Sequence, residues 1–318
     1  MPHSTSPPLP SGPRIAVLLG LHNGADHLDA QLQSFCDQTL APAWVLAADD
    51  GSKDGTVDRF ERFAADAPGH IRWHHAPGPG QGLSANYLAL LARPAPQTDY
   101  TALSDQDDIW LPEKLERAVA ALTPYQDRPA LLGTRSWEWD GKTDRRTLSR
   151  PVPPPYEFRH ALVQNYAGGN TMVLNRAALD LVQACLPGLP TPAVHDWFLY
   201  QLIAGSGGAV LLDETPQILY RQHRSNQIGA NSSLRSKLKR TGDMLRGTYR
   251  GWNTANIAAL SACQAHLTPQ ARALLARFAK DRHGATPARL AMLRDTGLYR
   301  KGRANQAMLW VTTLLNRL

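Results

Sequence analysis

The feature that most constrains the fold of this chain is an alternation. Four short strand-like runs, at residues 14–21, 44–48, 71–75 and 100–103, are separated by stretches with helical spacing at 27–35, 56–65 and 83–91. Short apolar, β-prone runs fit strands buried on both faces, and apolar side chains three and four apart fit the covered side of a helix. A β-α-β-α-β-α-β order joins its strands by crossovers, which gives a mostly parallel sheet with helices on both faces. In such sheets ligands sit beyond the carboxyl ends of the strands. Acidic clusters fall at two of those ends.

The first cluster is Asp49-Asp50-Gly51-Ser52-Lys53-Asp54-Gly55-Thr56. As plain structure it is a turn, with Ser52 or Asp54 capping the next helix. Two adjacent carboxylates at a strand end also suit a nucleobase N–H or a ribose hydroxyl. The second is Ser104-Asp105-Gln106-Asp107-Asp108-Ile109-Trp110. Three carboxylates within four residues repel one another unless a cation joins them, and hard oxygen ligands suit Mg²⁺ or Mn²⁺ on a diphosphate. The plainer alternative makes Asp108 the cap of a helix over residues 112–122. Two further motifs lie downstream. In His195-Asp196-Trp197-Phe198, a carboxylate among aromatics is either a structural Asp or a base tuned by desolvation. In Tyr220-Arg221-Gln222-His223-Arg224, guanidinium forks match phosphate oxygens and an imidazole can bind a metal, or the segment is an ordinary basic loop.

Charge divides the chain. Residues 1–232 carry 18 Lys and Arg against 24 Asp and Glu, whereas residues 233–318 carry 16 against three. The second part therefore reads as a basic appendage on an acidic body. Within it Leu234, Leu238, Thr241, Leu245, Tyr249 and Trp252 share one helical face, with Arg235, Lys239, Arg246 and Arg250 beside it. That pattern fits an amphipathic basic helix resting on an anionic membrane surface, a helical cap or a subunit contact. Residues 133–160, rich in Arg, Trp and Pro, read as a long loop over the site, and residues 1–12 as a flexible tail. No run reaches the ~18 apolar residues of a membrane span. Three widely separated cysteines, Cys36, Cys185 and Cys263, offer no disulfide framework and no CxxC, in keeping with a reducing compartment. A cytoplasmic protein is expected, with any membrane contact peripheral on the inner face.

Taken in order, Leu18-Leu19-Gly20-Leu21-His22-Asn23-Gly24, Asp49-Asp50-Gly51-Ser52, Asp105-Gln106-Asp107-Asp108, His195-Asp196-Trp197 and Tyr220-Arg221-Gln222-His223 resemble the family-two inverting glycosyltransferases. The resemblance covers roughly residues 13–231, and Ser104–Trp110 and Tyr220–His223 are most similar to the motifs of bacterial rhamnosyltransferases of surface polysaccharide synthesis. It implies an α/β GT-A fold over residues 13–231, a mostly parallel sheet flanked by helices, with a C-terminal helical extension over 232–318. It further implies that His22, Asn23, Asp49, Asp50 and Asp105 bind the nucleotide and that Asp107 and His223 hold Mg²⁺ or Mn²⁺. Arg221 would help the diphosphate, Gly169, Asn170 and Trp197 would meet donor sugar and acceptor, and Asp196 would be the catalytic base. His22 departs from the family, where Tyr is common. The implied donor is a dTDP- or UDP-sugar, and the implied acceptor a saccharide, lipid-linked or free.

The same residues discriminate among competing activities. A dehydrogenase needs G-x-G-x-x-G after the first strand, and Gly20-Leu21-His22-Asn23-Gly24 fails that spacing. A sugar nucleotidyltransferase shares the nucleotide and metal requirements but lacks its Gly-rich basic loop here; it stays as the alternative, beside a transferase using a UDP-hexose. Nucleic acid is not an expected partner, because the acidic strand ends repel phosphates.

Overall fold

The structure is a computed structural model and describes residues 12–93, 98–222, 242 and 246–318. Its centre is a seven-stranded sheet. The strands in chain order are β1 (Ile15–Leu21), β2 (Trp44–Asp49), β3 (Arg72–Pro77), β4 (Tyr100–Ser104), β6 (Ala130–Thr134), β9 (Val173–Asn175) and β10 (Ala209–Asp213), in the spatial order β10-β6-β9-β4-β1-β2-β3. The β3-β2-β1-β4 and β6-β10 neighbours are parallel; β9 alone runs against its neighbours. All seven residues of β1 are buried, as expected for a central strand covered on both faces. The edge strand β3 is partly exposed and carries Arg72, His74 and His75, which discourages pairing with another chain.

Helices α1 (Leu28–Cys36), α2 (Thr56–Asp66) and α3 (Leu83–Ala92) are the crossovers, and α4 (Lys114–Leu122) follows the acidic cluster. One hydrophobic core under the sheet includes Leu28, Leu32, Phe35 and Phe60. The core on the other face includes Tyr87, Leu90, α6 (Arg176–Cys185) and the nearly all-buried α7 (His195–Gly205). It continues without a break into α8 (Thr248–Ala262), α9 (Pro269–Asp281), α10 (Thr286–Thr296) and α11 (Arg303–Leu314), through Leu260, Leu275, Phe278, Met292 and Leu309. The three cysteines are free thiols.

Two expectations are corrected. Residues 133–160 are not one loop. They contain the end of β6, the hairpin β7 (Trp137–Asp140) and β8 (Arg145–Leu148), and the start of the short helix α5 (Phe158–Ala161). The hairpin joins β5 (Ile109–Trp110) and β11 (Ile218–Arg221) in a second sheet, ordered β5-β11-β7-β8. The Asp140 carboxylate and carbonyl accept from the N–H groups of Lys142 and Thr143 and close its turn. Asp108 also does not cap α4; the residue before that helix is Glu113, whose side chain makes no cap bond. Of the expected basic helix, Leu234, Arg235, Leu238, Lys239, Thr241 and Leu245 lie outside the described residues. Tyr249 and Trp252 begin α8 and pack edge-on against Trp197.

Candidate active site

Three parallel strands and one reversed strand deliver the site. The tips of β1, β2 and β4 carry Leu21-His22-Asn23, Asp49-Asp50 and Ser104-Asp105 to one edge of the sheet. Because β9 is antiparallel to β4, the turn that precedes it arrives at that same edge: Leu103 N–H donates to Met172 O at 3.0 Å. The pairing of β11 with β5, Leu219 opposite Ile109, then sets Arg221 beside Asp107 and Asp108.

Around the tips of β1 and β2 the polar groups satisfy one another. Asp49 Oδ2 accepts from Ser52 N–H at 2.9 Å and Gly51 N–H at 3.1 Å, and Oδ1 from the Ser52 hydroxyl. Asp50 reaches across to the Gly-rich loop and accepts from Gly80 N–H at 2.7 Å and Gly82 N–H at 2.6 Å. Asn23, in the left-handed region at φ 48°, accepts on Oδ1 from Lys53 N–H at 2.8 Å. Its own N–H donates to the Ser52 hydroxyl at 2.8 Å. His22 is clamped by Gln106, whose amide accepts from His22 N–H at 2.8 Å and donates to His22 O at 2.7 Å. His22, Asn23, Asp49, Asp50 and the acidic loop are thus one connected network.

The neighbouring carboxylates differ. Burial and the adjacent Asp107 charge push Asp105 up to about 7; Asp196 adds to the rise, so these three carboxylates share one electrostatic site. Tyr87 Oη lies 2.9 Å from Asp105 Oδ1 and 2.6 Å from Ser104 O and shares its single proton between them. Asp108 is completely buried and is held well above the usual carboxylate range by desolvation, then by Asp107 and Asp105. It accepts from Asn170 Nδ2 at 2.6 Å and from Arg221 N–H at 3.2 Å, tying the 169–171 turn to β11. Lys114 is also completely buried and donates to Thr171 O at 3.3 Å; desolvation lowers it to about 7 against the pull of Asp108. Arg221 donates from Nε to Asp107 O at 2.9 Å and lies over the Trp139 ring at 4.3 Å.

Asp196 opens α7 and is only 7% exposed. Its Oδ2 accepts from Gly169 N–H at 2.9 Å, while Oδ1 has no hydrogen-bond partner among the described residues. Burial raises its carboxyl to about 6, offset in part by the N–H groups of Trp197 and Gly169 and by the Asn165 amide, which acts on the carboxylate from outside hydrogen-bond geometry and itself donates to Ala167 O. Next to it His195 stacks on Tyr87, ring centroids 4.0 Å apart, with neither ring nitrogen hydrogen-bonded among the described residues. Burial lowers His195 to about 3, so its imidazole is neutral. Gly169 has no room for a side chain: a Cβ there would meet His195 Nε2 at 2.5 Å.

The structure therefore brings together His22, Asn23, Asp49, Asp50, Asp105, Asp107, Gly169, Asn170, Asp196 and Arg221. Trp197 is not among them. Its indole N–H donates to Ala161 O at 2.6 Å and its ring packs against Tyr249 and Trp252, so it anchors α7 from behind. His223 lies outside the described residues. Among the described residues no three His, Cys, Asp or Glu side chains are grouped to hold a metal ion. Tyr87, Gln106 and Lys114 were not singled out in the sequence. Tyr87 sits within the apolar run of α3 and Lys114 opens α4, and neither carries a local signal of its partner.

A deeply buried carboxyl with an orphaned oxygen, beside a carboxylate pair at the tips of parallel strands, makes this edge of the sheet the candidate active site. The match to known proteins agrees. The model of glycosyl transferase family 2 matches residues 17–179, more than half of the chain, and the chain belongs to that family. It is a glycosyltransferase. It is 27% identical over 237 residues to the dTDP-rhamnosyl transferase RfbG of Shigella flexneri, covering 73% of this chain and 81% of that one. It is 25% identical over 185 residues to the putative teichuronic acid biosynthesis glycosyltransferase TuaG of Bacillus subtilis, covering 56% and 68%. Among solved structures, the mannosyltransferase PcManGT of Pyrobaculum calidifontis, in complex with GDP-Man and Mn²⁺, superposes with a TM-score of 0.51 at 17% identity. That match covers all of this chain and 89% of PcManGT, a likeness of fold.

Proposed function

We propose that the chain transfers rhamnose from dTDP-rhamnose to a hydroxyl of a saccharide acceptor, inverting the anomeric configuration, in the building of a surface polysaccharide. The observation that carries the reaction type is Asp196. A buried carboxylate oxygen without a partner is costly to maintain, so an orphan of this kind points to a proton-bearing group that arrives with the substrate. The acceptor hydroxyl fits that role. Asp196 takes its proton as the oxygen attacks the anomeric carbon from the side opposite the phosphate, and the raised carboxyl makes it a better base than a free Asp. Gly169 N–H fixes the other oxygen and so aims the carboxylate. The donor identity rests on the similarity to RfbG and the polysaccharide setting on RfbG and TuaG.

Placement supports the remaining proposed roles. His22, Asn23, Asp49, Asp50 and Asp105 line the nucleoside subsite, Gly169 and Asn170 the sugar and acceptor side, and Arg221 the diphosphate. The charge conflict between Asp105 and Asp107 fits a divalent cation, Mg²⁺ or Mn²⁺, held by Asp107 and completed by His223. When bound, the ion supplies positive charge against the negative charge that grows on the leaving diphosphate. The saccharide acceptor is free or lipid-linked.

Thermal-shift titration with dTDP-rhamnose, a UDP-hexose and GDP-mannose, each with and without Mn²⁺, tests the donor; the largest Mn²⁺-dependent stabilisation is expected with dTDP-rhamnose. Preference for a UDP-hexose would replace the donor and leave the chemistry. Full transfer by Asp196→Asn would overturn the mechanism.

A further inference from the structure

Helix α11 has its polarity reversed. Its inward face buries two threonines, Thr312 at 1% and Thr313 at 0% exposure, together with Leu309. Its outward face presents Trp310 at 40%, Val311 at 41%, Leu314 at 50% and Leu315 at 51%. These four are the exposed large hydrophobic side chains of the described residues. At ~100° per residue they span an arc of ~140° on one side of the helix. A helix on a water-soluble domain buries its large apolar residues and exposes its small polar ones. Here the threonine hydroxyls are buried at no polar cost, because they donate to carbonyls of the preceding turn: Thr312 to Met308 O at 2.9 Å and Thr313 to Leu309 O at 2.7 Å. Arg289 secures the C-terminal end, bonding Thr313 O at 2.8 Å and Leu314 O at 2.9 Å. The orientation is therefore fixed by packing on both the polar and apolar sides.

Along the chain at this helix the charge is of one sign. Residues 296–318 contain Arg300, Lys301, Arg303 and Arg317 and no acid. Arg303 and Arg317 are exposed at the two ends of the helix, and Arg250 reaches its C-terminal end with a bond to Asn316 O at 3.4 Å. The nearest preceding acid, Asp295, is already paired with Arg294 and faces Arg277. Two copies meeting through this face would set like charges against each other. Nucleic acid phosphates would gain nothing from the Trp-Val-Leu-Leu surface.

We propose that the outer face of α11 is a membrane-docking surface that lies in the headgroup layer of an anionic bilayer. Trp310, Val311, Leu314 and Leu315 enter the acyl boundary while Arg303, Arg317 and Arg250 meet lipid phosphates. An aromatic and aliphatic face flanked by guanidinium groups suits that layer, where apolar burial and attraction to anionic lipid add together. Helix α11 shares its core with α10, α8 and α7, so docking would hold the catalytic body against the same surface. This surface stands apart from the assigned donor, since lipid binding needs neither nucleotide sugar nor turnover.

The test is co-sedimentation of the full chain with phosphatidylcholine vesicles, with and without phosphatidylglycerol, without substrate. The wild-type chain is expected to bind the anionic vesicles and to lose much of that binding at high salt. The Trp310→Glu, Leu314→Glu double variant should bind roughly tenfold or more weakly, with an unchanged thermal midpoint because both sites are exposed. Arg303→Glu with Arg317→Glu should lose the preference for anionic lipid while staying folded. Absence of wild-type binding to anionic vesicles would overturn the proposal, as would undiminished binding by the first variant. A wild-type dimer that becomes monomeric in that variant, with vesicle binding unchanged, would assign the face to a second copy instead.

Discussion

The two ends of the acidic cleft handle charge in opposite ways. At the end formed by the β1 and β2 tips, Asp49 and Asp50 are partly exposed and engaged by backbone N–H groups, Asp49 by its own turn and Asp50 by the Gly-rich loop at Gly80 and Gly82. At the other end, Asp105, Asp108 and Asp196 are desolvated and raised, and one oxygen of Asp196 has no partner among the described residues. The first arrangement builds a rigid cradle before any ligand arrives. The second keeps electrostatic strain in place that only a substrate, a proton or a cation relieves. Shape and electrostatic strain thus fall to different carboxylates of one site, far apart along the chain.

The sharpest way to break this contrast is Asp196→Asn. The amide can keep the acceptor for Gly169 N–H while it removes the charge. Transfer should fall by roughly 10²–10⁴-fold. Stability should move the other way. The folded carboxyl, raised from 3.8 to about 6, holds its proton more tightly than the unfolded one. Stability of the wild-type protein therefore drops as pH rises through about 4 to 6 and stays lower above it. The variant escapes that drop, by at most about 3 kcal/mol at pH 8. Denaturation midpoints of the two proteins at pH 4 and pH 8 measure the effect, and a gap that fails to widen with pH would remove the strained carboxylate from the account.

Next in size is Asp108→Ala. It strips the acceptor from the Asn170 amide and Arg221 N–H, and the counter-charge from buried Lys114. A loss of about 3 kcal/mol in urea unfolding is expected, with Asp108→Asn recovering part of it. Asp50→Ala should be milder. The Gly80 and Gly82 N–H groups can turn to water, so the cost is about 1 kcal/mol, and KM for the donor should rise more than kcat falls. Smallest of all is Arg59→Ala, which breaks an exposed pair with Asp29 at 2.8 Å. Its unfolding midpoint should be indistinguishable from wild type in the same assay, which makes it the control for the other three.

Much of this was legible in the sequence, for a local reason. β1, β2 and β4 are fully or almost fully buried, so their composition announces them, and the acidic residues fall where those runs end. The hairpin β7–β8 was hidden because its strands have four residues each and are polar or exposed along β8. β9 is only three residues long. The supports of the site were hidden by distance along the chain. Gln106 meets His22 across 84 residues, Asp108 meets Asn170 across 62 and Arg221 across 113. No window along the sequence contains both halves of such a contact. Trp197 was misplaced for a related reason: position beside Asp196 does not fix direction, since neighbours on a helix point about 100° apart.

The one reversed strand has a further consequence. β9 is short and locked on both sides, to β4 through Ala102–Val173 and to β6 through Leu132–Val173. It behaves as a ruler between Gly169 and the sheet. Adding or deleting a single residue within it would turn Val173 and Leu174 to the wrong faces and slide the Gly169 N–H off Asp196. The hairpin tip at residues 141–144, by contrast, can change length without touching that alignment. Variation in chain length among proteins of this design should therefore accumulate at the hairpin tip and be absent from the segment between Gly169 and Asn175.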